Sequence, residues 1–303
     1  MLLFSFQGQA MDAFAPKVTK VLVIPGGGGC GINPEIILAQ IEKDTGKPIK
    51  ELFDEIWGAS IGAFGAALLS ATDMSAADLV SLHKDIFSHF HSSLGIRGIL
   101  REKLAKDPLM CDTNIPVTIL CAKVTEWNKL NLPTKTQNVC FSSQDDPDAF
   151  LSDVACASCT VFPLHPFTQP VRIAGSERAC DYFMDAGAMA SSSCCMNPLR
   201  HCLANSTLKK VDIYFLGNGW INQGDFSDSR VENFYTVNIN LDKIIAEWKK
   251  ESYAGRCLNF ITDGLLLSNI AGAGVIPMDI MEKAADEYLK SDDYKILLKS
   301  LRR

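Results

Sequence analysis

Glu55-Ile56-Trp57-Gly58-Ala59-Ser60-Ile61-Gly62-Ala63-Phe64-Gly65-Ala66-Ala67-Leu68-Leu69 sets a serine inside Gly-x-Ser-x-Gly, between a short apolar strand and a run of small residues. The spacing predicts a strand over Glu55, Ile56 and Trp57, a sharp turn, and a helix starting near Ile61. Gly58 and Gly62 lack the Cβ atoms that would collide where strand and helix pass closest. The pattern is that of a nucleophile elbow, which exposes a serine hydroxyl at a helix N-terminus, where backbone N–H groups favour negative charge. A buried small-residue turn with no chemistry has a similar sequence, so the flanking segments decide between the two.

Upstream, Val21-Leu22-Val23-Ile24 is a β-branched apolar run that reads as a strand buried on both faces. It ends in Pro25 and the glycine run Gly26-Gly27-Gly28-Gly29-Cys30-Gly31. A helix is predicted over Pro34 to Thr45, with Asn33 as N-cap and Pro34 in its first turn. Gly26, Gly28 and Gly31 fit the dinucleotide fingerprint Gly-x-Gly-x-x-Gly. That fingerprint requires an acidic residue about twenty residues on, at the end of the next strand, and the next strand here ends in the Ser60 turn instead. Chance clustering of glycines in a tight turn is the bland reading. The reading favoured here is an anion nest, with the N–H groups of Gly26, Gly27, Gly28 and Gly29 facing the serine as an oxyanion hole.

Downstream, Ser75 to Leu104 reads as amphipathic helix. His83, His89 and His91 fall within it at spacings of six and two, which do not put two imidazoles on one helix face, so they read as solvated or packed. Ile115 to Lys123 reads as a central strand, Lys135 to Ser142 as an edge strand, and Gln144 to Asp148 as a solvated acidic turn. Phe150 to Cys159 is a helix of small residues closed by Thr160-Val161-Phe162-Pro163. Arg178 to Met184 leads into Asp185-Ala186-Gly187, where Asp185 is either turn chemistry or the base for Ser60. Val211 to Gly217 and Phe234 to Ile239 supply further strands, and helices are expected near Asp242 to Leu258 and Asp279 to Leu301. No repeat or linker divides the chain, so a lead-in over residues 1–20 and one domain over 21–303 are expected.

The bulk numbers exclude several classes. The chain has 303 residues, 47% of them hydrophobic and 21% charged, as in an ordinary folded protein. A net charge of -6 argues against nucleic acid as a partner and against simple attraction to anionic membranes. Met1 to Gln7 has no basic n-region, and the apolar stretches Ile56 to Leu69 and Leu265 to Met278 fall short of the ~20 residues of a spanning helix. A cytoplasmic protein is expected, with membrane contact at most peripheral. The eleven cysteines, an odd number without paired zinc half-sites, read mainly as small buried apolar residues in a reducing compartment.

Together these residues resemble the patatin-like phospholipases. The resemblance rests on Pro25 to Gly31, Gly58 to Gly62, Val154 to Pro163 and Asp185 to Gly187, in that order, and covers roughly Val21 to Pro198. It implies a three-layer α/β/α fold with a central, mostly parallel sheet. It also implies a Ser60–Asp185 dyad cleaving acyl esters of membrane lipids, with a phospholipid or lysophospholipid as substrate and no metal or organic cofactor. An unidentified activator is compatible with it. The sequence departs from the family pattern in three places. Pro25 stands where an aspartate usually opens the loop, Cys30 where an arginine or lysine precedes the last glycine, and Ala186 follows the aspartate. An insertion, Ser191 to Cys195, follows.

A serine hydroxyl needs a base to take its proton as it attacks. In α/β-hydrolases that base is a histidine late in the chain, but the final third of this chain has none, and His201 is the last. The dyad is therefore the more economical reading, because a carboxylate in a partly desolvated site can serve as the base. The rivals are a Ser–His–Asp esterase or acyltransferase using His165 or His201, a catalytically weakened lipid- or protein-binding module, and a nucleotide-binding protein using the glycine loop. Phe260 to Met278 reads as buried core in preference to an interfacial surface.

Overall fold

The computed structural model describes residues 17–87, 93–105, 107–130, 132–160, 169–175, 181–186, 202–204, 206–217, 228–237, 239 and 278–302. The first strand, β1 (Thr19–Ile24), alternates as its pleat requires. Leu22 and Ile24 enter one core layer and Val21 and Val23 the opposite one. A short 3-10 turn, Gly28–Gly31, leads directly into α1 (Ile32–Thr45). The predicted cap is therefore displaced. The cap position falls to Gly31, and Asn33 lies inside the helix, buried, because the 3-10 turn already winds the chain before Asn33 is reached. A single turn, α2 (Ile49–Leu52), precedes β2 (Glu55–Ala59), which is buried along its whole length.

From the turn at Ser60 runs α3 (Ile61–Ala71), in which every residue from Ile61 to Ser70 is buried. A helix apolar on all sides belongs in the interior. The amphipathic stretch that follows forms two helices, α4 (Ala76–Phe87) and α5 (Ser93–Lys103). Next come β3 (Val117–Trp127), longer than predicted, β4 (Pro133–Ser142), α6 (Leu151–Ser158), and the short strands β5 (Gln169–Pro170) and β6 (Tyr182–Met184). β7 (Val211–Phe215) and β8 (Val231–Thr236) follow, the latter starting earlier than its sequence pattern. The last predicted helix divides into α7 (Met278–Leu289) and α8 (Asp292–Leu301), because Ser291 caps a new helix by accepting the Tyr294 N–H. The helix expected near Asp242 to Leu258 lies outside the described residues.

The strands form one mixed sheet in the order β5-β6-β3-β2-β1-β7-β8, with β4 on the free edge of β3. Four pairings are parallel (β1–β2, β1–β7, β2–β3, β7–β8) and three, all around β3 and β6, are antiparallel. Helices α1 and α3 to α8 pack on one face. On the other face a helical turn at 202–204 sets Cys202 and Leu203 against Val21, Trp57, Ile213 and Phe215, giving the three-layer α/β/α arrangement. Among the described residues no helix is long and apolar enough to cross a membrane.

One polar cluster sits inside this second layer. Glu55 is buried on the same face of β2 as Trp57, whose indole N–H donates to its Oε1 at 2.6 Å, and the Thr118 hydroxyl of β3 donates to the same oxygen at 2.9 Å. Burial pushes the Glu55 carboxyl above its ordinary 4.5, against those two hydrogen bonds. The folded chain therefore holds this proton more tightly than the unfolded chain. Wild-type stability falls as pH rises from 4.5 through the raised folded value. Glu55→Gln keeps an acceptor for both donors and does not titrate. It is expected to melt at or above wild type at neutral pH, with the difference in Tm widening across that window and flat below it. A variant less stable than wild type at every pH would show that the charge itself is required.

Candidate active site

Three segments converge where the parallel strands end. The first is the turn itself. Ser60 has φ 52° and ψ −130°, a left-handed conformation that costs an L-residue on the order of 1–3 kcal/mol. It is held there from both sides. Its N–H donates to the Ser158 hydroxyl oxygen at 2.8 Å, and its carbonyl accepts from the Cys159 thiol at 2.9 Å. Ser158 in turn donates to the Leu120 carbonyl of β3 at 2.6 Å. The C-terminus of α6 thus clamps the turn to the sheet, and Ser60 itself stays only half-buried.

The second segment is the glycine loop. A Cβ added to Gly26 would lie 2.6 Å from the Ser60 Cβ and 3.4 Å from its Oγ, so bare backbone lies directly against the nucleophile candidate. Gly27 (φ 137°) and Gly28 (φ 55°) occupy conformations that side chains disfavour. The N–H groups of Gly28 and Gly29 open the 3-10 turn and so have no acceptor within it. The loop is seated by Gly62, whose missing Cβ leaves room for the Ile24 and Pro25 carbonyls, and Gly58 in the same way accommodates the Gly62 carbonyl. Cys30 points into the apolar core, a place suited to a neutral side chain and not to the arginine or lysine common at this position in the resembled family.

The third segment is Asp185, and its placement follows from strand register. β4 occupies one edge of β3 from Thr118 to Trp127. β2 and β6 therefore share the other edge. β2 runs parallel to β3 and ends with Ala59 opposite Leu120, while β6 runs antiparallel and ends with Met184 opposite Ala122. The two strands point at each other, and Ser60 and Asp185 are the residues at which they meet, beside Cys121. Asp185 is buried, and its N–H donates to the Thr160 carbonyl at 2.8 Å. Burial first, with the nearby Asp185 charge adding to it, pushes the thiols of Cys121 and Cys159 well above their ordinary range. Those thiols therefore stay protonated, neutral packing groups beside the serine and the aspartate.

Around this centre the support is ionic. Asp153 in the first turn of α6 is fully buried and receives the Arg172 Nε at 2.5 Å and Arg97 at 3.4 Å. Arg172 reaches Asp107 as well. Beneath the loop, His83 is packed as one of the two readings had it, with Nδ1 2.9 Å from the buried Glu35 carboxylate. Burial raises the Glu35 pKa, and His83 opposes the rise. His89, His91, His165, His201 and Gly187 lie outside the described residues. A surface pocket bordered by Lys123, Cys140 and Phe183 includes neither Ser60, the glycine loop nor Asp185 in its lining.

Sequence reasoning brought out Ser60, the glycines and Asp185 but gave no role to Ser158, Cys159 and Thr160. The signal is three consecutive small hydrogen-bonding residues at the C-terminal end of a helix of small residues, the place where spare hydrogen-bonding groups reach a neighbouring turn.

The sequence profile described as "Patatin-like phospholipase" matches residues 22–200. "Phospholipase A I" of Arabidopsis thaliana is 39% identical over 67 residues, which is 22% of this chain and 5% of that protein. Two solved structures are also similar. ExoU of Pseudomonas aeruginosa, in complex with SpcU, has 15% identity and a TM-score of 0.39 over 91% of this chain and 53% of that one. VipD of Legionella pneumophila has 15% identity and a TM-score of 0.40 over 84% and 56%. This chain thus spans about half the length of those structures and a small part of the curated relative. With the profile covering more than half of its residues, from β1 through the elbow to beyond Asp185, the chain belongs to the patatin-like phospholipase family.

Proposed function

We propose that this protein is a serine acyl hydrolase that cleaves acyl esters of membrane phospholipids or lysophospholipids through Ser60 and Asp185. The observation that carries this reading is the head-on approach of β2 and β6 along one edge of β3, with a strained serine at one end and a buried aspartate at the other. In the proposed reaction the Asp185 carboxylate takes the Ser60 proton as Oγ attacks the ester carbonyl carbon. The oxyanion is held by N–H groups of Gly26 to Gly29, at about 2.7–4 kcal/mol for each donor. Collapse expels the lipid alcohol, which leaves with the proton from Asp185. Asp185 then deprotonates a water that attacks the acyl-enzyme, releasing the fatty acid and restoring the serine. With the neutral Cys30 in place of a basic residue, the loop itself offers the oxyanion backbone dipoles and no side-chain charge.

The test is hydrolysis of a short-chain p-nitrophenyl ester and of phospholipid vesicles. Asp185→Asn keeps the shape of the side chain and removes its basicity, and is expected to lower turnover by about 10⁴-fold. His201→Ala is expected to retain turnover. Loss of activity in His201→Ala with Asp185→Asn still active would transfer the base to histidine and overturn the dyad. A wild-type chain that turns over neither substrate and leaves Ser60 unlabelled by a fluorophosphonate would identify a binding module instead.

A further inference from the structure

Four large hydrophobic side chains are strongly exposed among the described residues, and three of them gather in one place. Trp127 at the end of β3 is 41% exposed, Leu130 in the β3–β4 turn is 77% exposed, and Tyr182 of β6 is 47% exposed. Trp127 and Tyr182 pack edge to face, with ring centroids 5.6 Å apart. The turn that carries Leu130 is built firmly. The Asn128 side-chain carbonyl accepts the N–H groups of Leu130 (2.8 Å) and Leu132 (3.0 Å), and the Asn128 N–H donates to the Leu132 carbonyl at 3.0 Å. Leu130 is thus held out into solvent by a fixed turn.

The direction of this hairpin matters. β3 runs parallel to β2, which ends at Ala59 opposite Leu120, and β3 continues in the same direction to Trp127. At about 3.3 Å per residue the tip stands roughly 20 Å beyond the level of Ser60, on the same end of the sheet. Tyr182 is on the strand that leads back from the tip to Asp185. We propose that Trp127, Leu130 and Tyr182 form a lipid-docking tip that enters the headgroup and upper acyl region of a bilayer, and so brings the Ser60 end of the sheet to the membrane. The proposal rests on the lipid-hydrolase reading for its substrate.

The chemistry favours a lipid surface over a protein. Trp and Tyr are the side chains that settle at membrane–water boundaries, with an apolar body and a polar tip. Charge agrees: Lys123 is paired with Asp181 at 2.5 Å and Lys135 with Glu126 at 2.7 Å, whereas Lys129, next to Leu130 in the turn, is exposed, is in no ion pair among the described residues, and carries the charge that a lipid phosphate attracts. Three side chains on a narrow tip also fall short of the roughly 800 Å² that each partner buries in a stable protein interface. Penetration of a lipid layer needs no such matching surface.

The experiment is co-sedimentation of the full chain with vesicles of phosphatidylcholine containing a minor share of phosphatidylserine, with thermal melting as the folding control. Leu130→Glu is expected to weaken vesicle binding about tenfold or more, because a charge replaces an apolar group that would leave water, with Tm unchanged. Wild-type fluorescence should shift to shorter wavelength on adding vesicles, and Trp127→Phe should lose most of that shift. Equal binding by wild type and Leu130→Glu would overturn the proposal. So would a wild-type chain that hydrolyses the p-nitrophenyl ester but does not sediment with vesicles, an outcome that leaves the hydrolase reading intact. Self-association that Leu130→Glu abolishes, without vesicle binding, would assign the tip to a second copy of the chain. Vesicle binding lost in Leu130→Glu by a chain with no turnover would support the docking tip and overturn the hydrolase reading instead.

Discussion

Ser60→Ala is expected to lower ester turnover by about 10⁶-fold, the scale on which removal of a serine nucleophile acts in other acyl enzymes. The melting temperature should barely change, because alanine keeps the Cβ that packs on Gly26 and the backbone N–H and carbonyl held by Ser158 and Cys159. A second substitution at the same position separates chemistry from strain. At φ 52° an L-residue is strained and glycine is not, so Ser60→Gly is expected to be as inactive as Ser60→Ala but more stable by about 1 kcal/mol. In the proposed mechanism the strain aims the hydroxyl, and a stabilised, inactive variant would be its signature. Turnover retained by purified Ser60→Ala would remove the serine from the mechanism.

Gly62→Ala is expected to damage both stability and activity. Two effects of opposite sign compete at this helical position. Alanine gains about 0.8–1 kcal/mol of helix propensity over glycine. Against this, the new methyl would lie 2.1 Å from the Ile24 carbonyl oxygen and 2.6 Å from that of Pro25, and backbone atoms cannot rotate away as side chains do. Overpacking of this severity costs about 3 kcal/mol or more, so the clash wins by roughly 2 kcal/mol, a fall in Tm of about 3 °C for a chain of this length. The displaced segment is the one that seats Gly26 to Gly29 against Ser60. A misplacement of about 1 Å costs about 10²-fold in rate, and kcat should fall accordingly. Gly98→Ala on the exposed face of α5 supplies the contrast. A methyl there meets nothing within 4 Å, and the variant should gain about 0.5–1 kcal/mol with activity unchanged. If Gly62→Ala melted with wild type and turned over at its rate, the close approach would have no consequence.

The strand, turn and helix around Ser60 are legible because each carries a local signal: the short apolar segment ending in Trp57, the paired glycines Gly58 and Gly62, and small residues at helical length. The cap of α1 departs from its sequence signal because Asn33 has the right chemistry but stands after a 3-10 turn that already winds the chain. The last helix was read as continuous because the break at Ser291 depends on one hydrogen bond to the Tyr294 N–H. Ser158, Cys159 and Thr160 had no assigned role because their partners, Ser60, Leu120 and Asp185, are remote in sequence.

The sequence alone determined that a strand–loop–helix and a strand–elbow–helix follow one another, that the elbow presents a serine, and that an aspartate at the end of a later apolar segment is available to it. These are consequences of local sterics and of periodicity. Only the tertiary structure decided that β2 and β6 share one edge of β3 and run toward each other, because strand direction and register are set by pairing between distant segments. That pairing turns two separate candidates, Ser60 and Asp185, into neighbours, and it extends β3 past them to lift Trp127 and Leu130 into solvent at the same end of the molecule.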